Sequence, residues 1–148
     1  MTTLANIPFE QIETGMQRQY SKTLTERDLQ LFAETSGDCN PVHLDADYAA
    51  TTAFGERIAH GMWSGALISA AIATTLPGPG SVYRSQTLKF SKPVKLGDTI
   101  TITLTVTDKR DRVKLVTIDC EGKNQRGETV VKGEAEVIAT SDSLLFEF

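Results

Sequence analysis

From Thr99 to Thr107 the chain alternates strictly. Ile100, Ile102, Leu104 and Val106 stand between Thr99, Thr101, Thr103, Thr105 and Thr107. A period of two in β-favouring residues predicts a strand with one buried face. Val131, Gly133, Ala135 and Val137 alternate in the same way with Lys132, Glu134 and Glu136. Two further strands are expected at about 81–91 and 113–122, set off by Gly97-Asp98 and by a charged turn at Asp108-Lys109-Arg110-Asp111.

The first half has a different period. After a short extended stretch from Arg18 to Lys22, Thr25-Glu26-Arg27-Asp28 reads as a capping box, with Leu24 placed to staple onto Leu29. Leu29, Phe32 and Ala33 recur at helical spacing, and Gly37 allows the left-handed turn that ends the helix. A loop, Asp38 to His43, precedes a short helix at about 46–53. From His60 to Ile72 the chain is apolar almost all round, so as a helix it must be covered on most sides. Pro77-Gly78-Pro79-Gly80 stops it.

Helices first and consecutive antiparallel strands afterwards indicate an α+β domain. The economical way to cover an apolar helix with a curved antiparallel sheet is to wrap one around the other, which is the hot-dog arrangement. No repeat or linker interrupts the chain, and residues 1–148 read as a single domain.

Composition narrows the picture by exclusion. The net charge of −4 argues against nucleic acid as partner. The charge is uneven: residues 1–80 hold four Lys/Arg against nine Asp/Glu, and residues 81–148 hold eleven against ten. An anionic ligand would find its cations mainly in the second half. Cys39 and Cys120 make neither a disulfide framework nor a zinc pattern. The apolar stretch from Ile58 to Leu76 carries His60, Ser64, Ser69, Thr74 and Thr75, and lacks the unbroken length a bilayer needs. With no charged, then apolar, leader pattern, the cytosol is the expected location and no membrane contact is expected.

Candidate chemistry centres on the two histidines. His43 shares a loop with Asp38 and Asn40, and Pro41 stiffens the path between them. A carboxylate and an imidazole on one bound water are what hydration of a double bond requires. The same Asp-x-Asn-x-x-His pattern also fits a turn in which Asp38 bridges backbone amides. His60-Gly61 opens the apolar helix, where free amides and the positive end of the dipole coincide. A glycine there lets a ligand approach the N–H closely, or simply permits tight packing. Ser64 and Ser69 are polar contacts available from the helix, unless they bond back to its own carbonyls.

The run from Phe32 through Ser36-Gly37-Asp38-Cys39-Asn40-Pro41-Val42-His43 to Asp45 resembles the hydratase motif of the MaoC-like dehydratases. So do Tyr48 to Phe54, Ile58-Ala59-His60-Gly61-Met62, Leu76 to Tyr83, and Gln86 through Pro93 to Asp98. Within that family the chain is most similar to bacterial (R)-specific enoyl-CoA hydratases that feed polyhydroxyalkanoate synthesis. The resemblance implies that Asp38 and His43 hold the water, that Asn40 orients them, and that the Gly61 amide polarises the thioester carbonyl. It matches Ser69 to a helix serine of the family's site and gives His60 a supporting or substrate-binding place. It implies no cofactor and no metal, an enoyl-CoA substrate, and a homodimer with the acyl pocket near the subunit interface. Trp63, Leu67, Ile72 and the strand residues facing the helix are expected to shape the acyl tunnel. Other possibilities are a hot-dog thioesterase or acyl-carrier-protein dehydratase, a non-catalytic acyl-CoA-binding module, and a covalent mechanism through Cys39.

Overall fold

The central strand of the structure, a computed structural model describing residues 1–148, is the one with the strict alternation. β5 runs Thr99–Arg110, with Ile100, Ile102, Leu104 and Val106 all buried on its inner face. On the outer face, side-chain hydrogen bonds link Thr99, Thr101, Thr103 and Thr105 to Thr23, Ser21, Gln19 and Gln17 of β2 (Gln17–Thr23). One face is therefore held by burial and the other by a polar cross-strand ladder.

β5 continues antiparallel to β6 (Leu115–Lys123), which pairs with β7 (Thr129–Ile138). β7 in turn pairs with β3 (Val82–Gln86) and β4 (Lys89–Phe90). The result is one six-stranded antiparallel sheet in the order β2-β5-β6-β7-β3, with β4 also on β7. Two three-residue strands, β1 (Thr3–Ala5) and β8 (Leu145–Glu147), make a separate ribbon from the chain ends.

Four helices precede most of the sheet. α1 (Glu26–Ser36) starts with the expected capping box, the Thr25 amide donating to Asp28 and the Asp28 amide to the Thr25 hydroxyl, and ends on Gly37 at φ 80°. α4 (Gly61–Thr74) lies in the concave side of the sheet, against β2, β5, β6 and β7. Trp63, Leu67, Ile68, Ala71 and Ile72 enter the same core cluster as the inner faces of the strands. A sheet curled around this helix is a hot-dog fold. No helix is long and apolar enough to cross a membrane.

Four expectations need correction. Pro41–Leu44 is not loop but a helical turn, α2, because Asn40 caps it and proline is pre-set for the first helical position. The charged segment from Asp108 to Arg110 stays in β5, and the turn falls at Asp111–Lys114, where Val113 and Lys114 both have φ 54°. The strand expected at 81–91 breaks into β3 and β4 at Thr87-Leu88. There β7 carries Gly133, whose added Cβ would stand 1.8 Å from the Thr87 carbonyl oxygen. α3 (Ala46–Ala50) is also three residues shorter than expected.

Candidate active site

α1, α2 and the start of α4 converge on one point, and each arrives there for a local reason. Arg57 forms a two-pronged ion pair with Glu26, tying the approach to α4 onto the first turn of α1. The Ala59 amide donates to the Val94 carbonyl at 2.7 Å, and Ile58 bridges to Lys95, so the backbone before His60 is pinned to the sheet side. On the other wall the Asn40 side chain accepts from the Val42 amide at 3.2 Å and caps the turn that carries His43. Asn40 thus orients His43 through the backbone.

The two imidazoles stack face to face, with ring centroids 3.9 Å apart and planes 26° apart. His43 Nδ1 lies 2.8 Å from the Ile58 carbonyl, which only accepts, so Nδ1 carries the proton and Nε2 is left with a free lone pair. His60 Nε2 donates to the Asp38 carbonyl at 3.0 Å by the same reasoning, and its Nδ1 is buried without a partner. Burial, the largest influence, lowers the pKa of His60, against the opposing hydrogen bond to Asp38. His60 is therefore a neutral ring at pH 7, wedged between Phe32, at 4.9 Å between centroids, and His43.

Asp38 plays two parts. One carboxylate oxygen accepts from the Asn40 amide at 3.1 Å, the turn geometry that the sequence also allowed. Its carboxylate nonetheless stands with His43 and His60 in a cluster whose side-chain donor atoms all lie within 4.8 Å of one another. A water about 2.8 Å from each of two acceptors spans such a gap. A metal ion, with ligands at about 2.0–2.2 Å, would need both imidazole lone pairs aimed at one point. Stacked rings hold their lone pairs in nearly parallel planes, so the cluster suits a water better than an ion. Cys39 is exposed and its sulfur is outside the cluster, which weighs against a covalent role.

His43, His60, Gly61 and Ser64 line a cavity of about 230 Å³, closed on the far side by Phe90, Ser91, Lys92 and Pro93. The amides of Gly61 and Met62 open α4 with no backbone acceptor. A Cβ at Gly61 would meet the Phe90 ring at 3.6 Å, an ordinary contact, so packing does not require glycine there.

Ser69 does not join Asp38 and His43. It sits two turns on and lines a neighbouring chamber of about 530 Å³ with Phe32, Met62, Gly65, Gln86 and Leu88. Trp63, Leu67 and Ile72 are buried in the core and line neither the cavity nor the chamber, but Trp63 and Leu67 wall a third pocket of about 330 Å³ that shares Phe32 and Ala66 with the chamber. Phe90 walls the cavity as one of the strand residues facing the helix, which the sequence named only as a group. Sequence reasoning missed Ile58 as the partner of His43, because it acts through a backbone carbonyl and left no signal.

The fold and the site define a hot-dog protein with an aspartate and two histidines clustered beside the free amides of its buried helix. The profile of the MaoC like domain matches residues 8–142, and the chain belongs to that family. It is 48% identical over 130 residues to an (R)-specific enoyl-CoA hydratase of Rhodospirillum rubrum, covering 88% of this chain and 90% of the relative. It is 43% identical over 132 residues to a 3-hydroxybutyryl-CoA dehydratase of Methylorubrum extorquens, covering 87% and 82%. The unliganded R-hydratase PhaJ1 from Pseudomonas aeruginosa superposes with a TM-score of 0.95 at 54% identity, covering 99% of this chain and 94% of that one.

Proposed function

We propose that this protein is an (R)-specific enoyl-CoA hydratase, adding water reversibly across the double bond of a trans-2-enoyl-CoA to give (R)-3-hydroxyacyl-CoA. The observation that carries the reading is the pairing of Asp38 with a His43 whose protonated Nδ1 is fixed on the Ile58 carbonyl. A neutral ring so held keeps Nε2 free to accept, with the Asp38 carboxylate in the same cluster, which is what a bound water needs in order to lose a proton as it attacks.

In this mechanism the thioester oxygen takes hydrogen bonds from the free amides at the start of α4, Gly61 foremost. Donors of that kind are typically worth about 3–4 kcal/mol of transition-state stabilisation. The water held by Asp38 and His43 adds to C3, and a proton is delivered to C2 on the same face. His60 supports Asp38 and His43 from below by stacking and by its bond to Asp38, and Ser69 contacts the substrate farther along. No metal or cofactor takes part in these steps. The product would serve as a polyhydroxyalkanoate precursor drawn from fatty-acid β-oxidation.

Residues 1–148 act as one hot-dog domain, and the working form is a cytosolic homodimer. An exposed free thiol at Cys39 is consistent with a reducing compartment.

The test is the absorbance of the enoyl-thioester band with crotonyl-CoA, followed by chiral analysis of the product. Loss of the band with (R)-3-hydroxybutyryl-CoA formed is the expected result. Release of free CoA thiol, with the band otherwise unchanged, would move the assignment to a thioesterase.

A further inference from the structure

The first turn of α4 carries a hydrogen-bond donor besides its amides. Ser64 is 3% exposed and lines the 230 Å³ cavity with His43, His60 and Gly61. Thr74 and Thr75, at the other end of the same helix, each donate to the carbonyl four residues earlier, at 2.7 and 2.6 Å. Bonding back in this way is the ordinary fate of a helix hydroxyl. Ser64 departs from it. Its hydroxyl bonds to no protein group, and its oxygen is open to the cavity, since the only sealed polar atom left without a partner is His60 Nδ1.

The other polar side chains on the cavity wall are committed or stand outside. His43 and His60 each hold their proton on a backbone carbonyl, so their remaining ring nitrogens can only accept. Ser91 and Lys92 are exposed on the far side. Ser64 is thus the one buried side chain there with a hydrogen to give. Its place on the helix says where it gives it. Gly61 and Ser64 are three residues apart and share a helix face. A helical side chain leans toward the N-terminal end, over the turn before it. The Ser64 hydroxyl therefore leans toward the Gly61 amide, and both look into one space.

We propose that Ser64 is a catalytic residue of the hydration, its hydroxyl giving the thioester oxygen a second hydrogen bond beside that of the Gly61 amide. This deepens the hydratase reading and rests on it. A carbonyl oxygen has two lone pairs and takes both donors. As the water oxygen bonds to C3 and its proton passes to Asp38 and His43, the electrons of the double bond shift toward that oxygen. They return when C2 takes a proton. Charge builds on the oxygen only between these events, so a donor fixed there acts mainly in the transition state and raises kcat more than it tightens binding.

The experiment pairs kinetics with stability in Ser64→Ala, using crotonyl-CoA. kcat should fall about 10²–10³-fold, the loss on removing one donor of this kind, with KM changed far less. The urea midpoint should hold or rise, because no folded-state bond is lost and alanine is the better helix former. Asp38→Asn, slow enough to hold the substrate unreacted, supplies a direct readout. The carbonyl stretch of crotonyl-CoA bound to it, isotope-labelled at C1, should lie below that of the free thioester and move back up when Ser64→Ala is added. A kcat left near wild type overturns the assignment, as does a carbonyl band that the second substitution leaves in place. A urea midpoint lowered along with kcat overturns it too, since the hydroxyl would then be structural. Failure of the hydratase reading looks different, because the wild-type protein itself would then leave the enoyl band unchanged.

Discussion

Each member of the Asp38–His43 pair touches His60, one by stacking and one through a backbone carbonyl. That makes the three residues separable by substitution. Asp38→Asn and His43→Gln keep size and turn geometry but remove the basic groups, so kcat should fall by about 10²–10⁴ in each with far-UV circular dichroism unchanged. Near-wild-type rates in either variant would remove it from the mechanism. His60→Phe keeps a ring against His43 and loses the donor to Asp38, whereas His60→Gln keeps a donor and loses the ring. If the hydrogen bond is what positions Asp38, His60→Phe should lower kcat about tenfold, the worth of one such bond, with KM little changed, and Gln should recover most of it. His60 also predicts a pH effect on stability. Its folded pKa is lowered by burial, so its contribution is complete above the ordinary value of 6.5 and is lost as pH falls from there through the depressed value. Urea midpoints at pH 7.5 and pH 5 should differ less in His60→Phe than in the wild type.

At the level of the elements, two glycines that look alike in sequence separate cleanly. Gly133 sits mid-strand in β7, and a methyl there would overlap the Thr87 carbonyl, a backbone group that cannot swing aside. Gly133→Ala should cost about 3 kcal/mol or more, read as a lowered urea midpoint. Gly61→Ala places its methyl in ordinary contact with Phe90 at a helix start, where alanine is the better helix former. Its midpoint should hold or rise while its kcat/KM drops, because the methyl enters the cavity beside the amide. The turn between β4 and β5 has a comparable dependence on one residue. Buried Asp98 accepts from the Lys95 amide, Gln125 and Arg126, which together outweigh burial and hold its pKa below the usual carboxylate range. Asp98→Ala should therefore cost about 2–4 kcal/mol at pH 7. Sign fixes the window: the Asp98 contribution is present above its ordinary 3.8 and is lost as pH falls through the lowered value.

The same elements mark how far the sequence can be read. β5 and the capping box of α1 were legible because period and cap chemistry are local signals. The break between β3 and β4 was not, since its cause is the crossing of Thr87 over Gly133, two residues 46 positions apart in the chain. The β1–β8 ribbon pairs three residues from each terminus and has too short a pattern to register. In the site, Asp38, Asn40, His43 and His60 were legible as a motif. Their tautomers were not, because a carbonyl from Ile58 and another from Asp38 decide them.

For the molecule as a whole, the sequence of α4 and its surroundings disagree. The helix is apolar all round, yet a single chain covers only its inner side: Gly61, Met62, Ala66 and Ala73 are exposed, Met62 to 55%. Beside this open strip runs the outer edge of β3, with Val82 at 58% and Tyr83 at 40% exposure and no strand beyond it. An apolar helix face next to an unpaired strand edge fits another copy of the same surface, since a two-fold axis there would continue the sheet and cover both helices. That arrangement would also roof the chamber lined by Met62, Ala66, Ser69 and Tyr83. On this argument the protein sediments at about twice its chain mass of 16.1 kDa, with an interface of at least about 1,600 Å². Ala66→Glu tests it at one point. The residue is exposed on a single chain, so the fold should survive, while a carboxylate facing its own symmetry copy in an apolar interface should drive the protein to monomer. Sedimentation as a monomer with unaltered circular dichroism is the expected outcome; a variant that stays dimeric would put the interface somewhere other than the open face of α4.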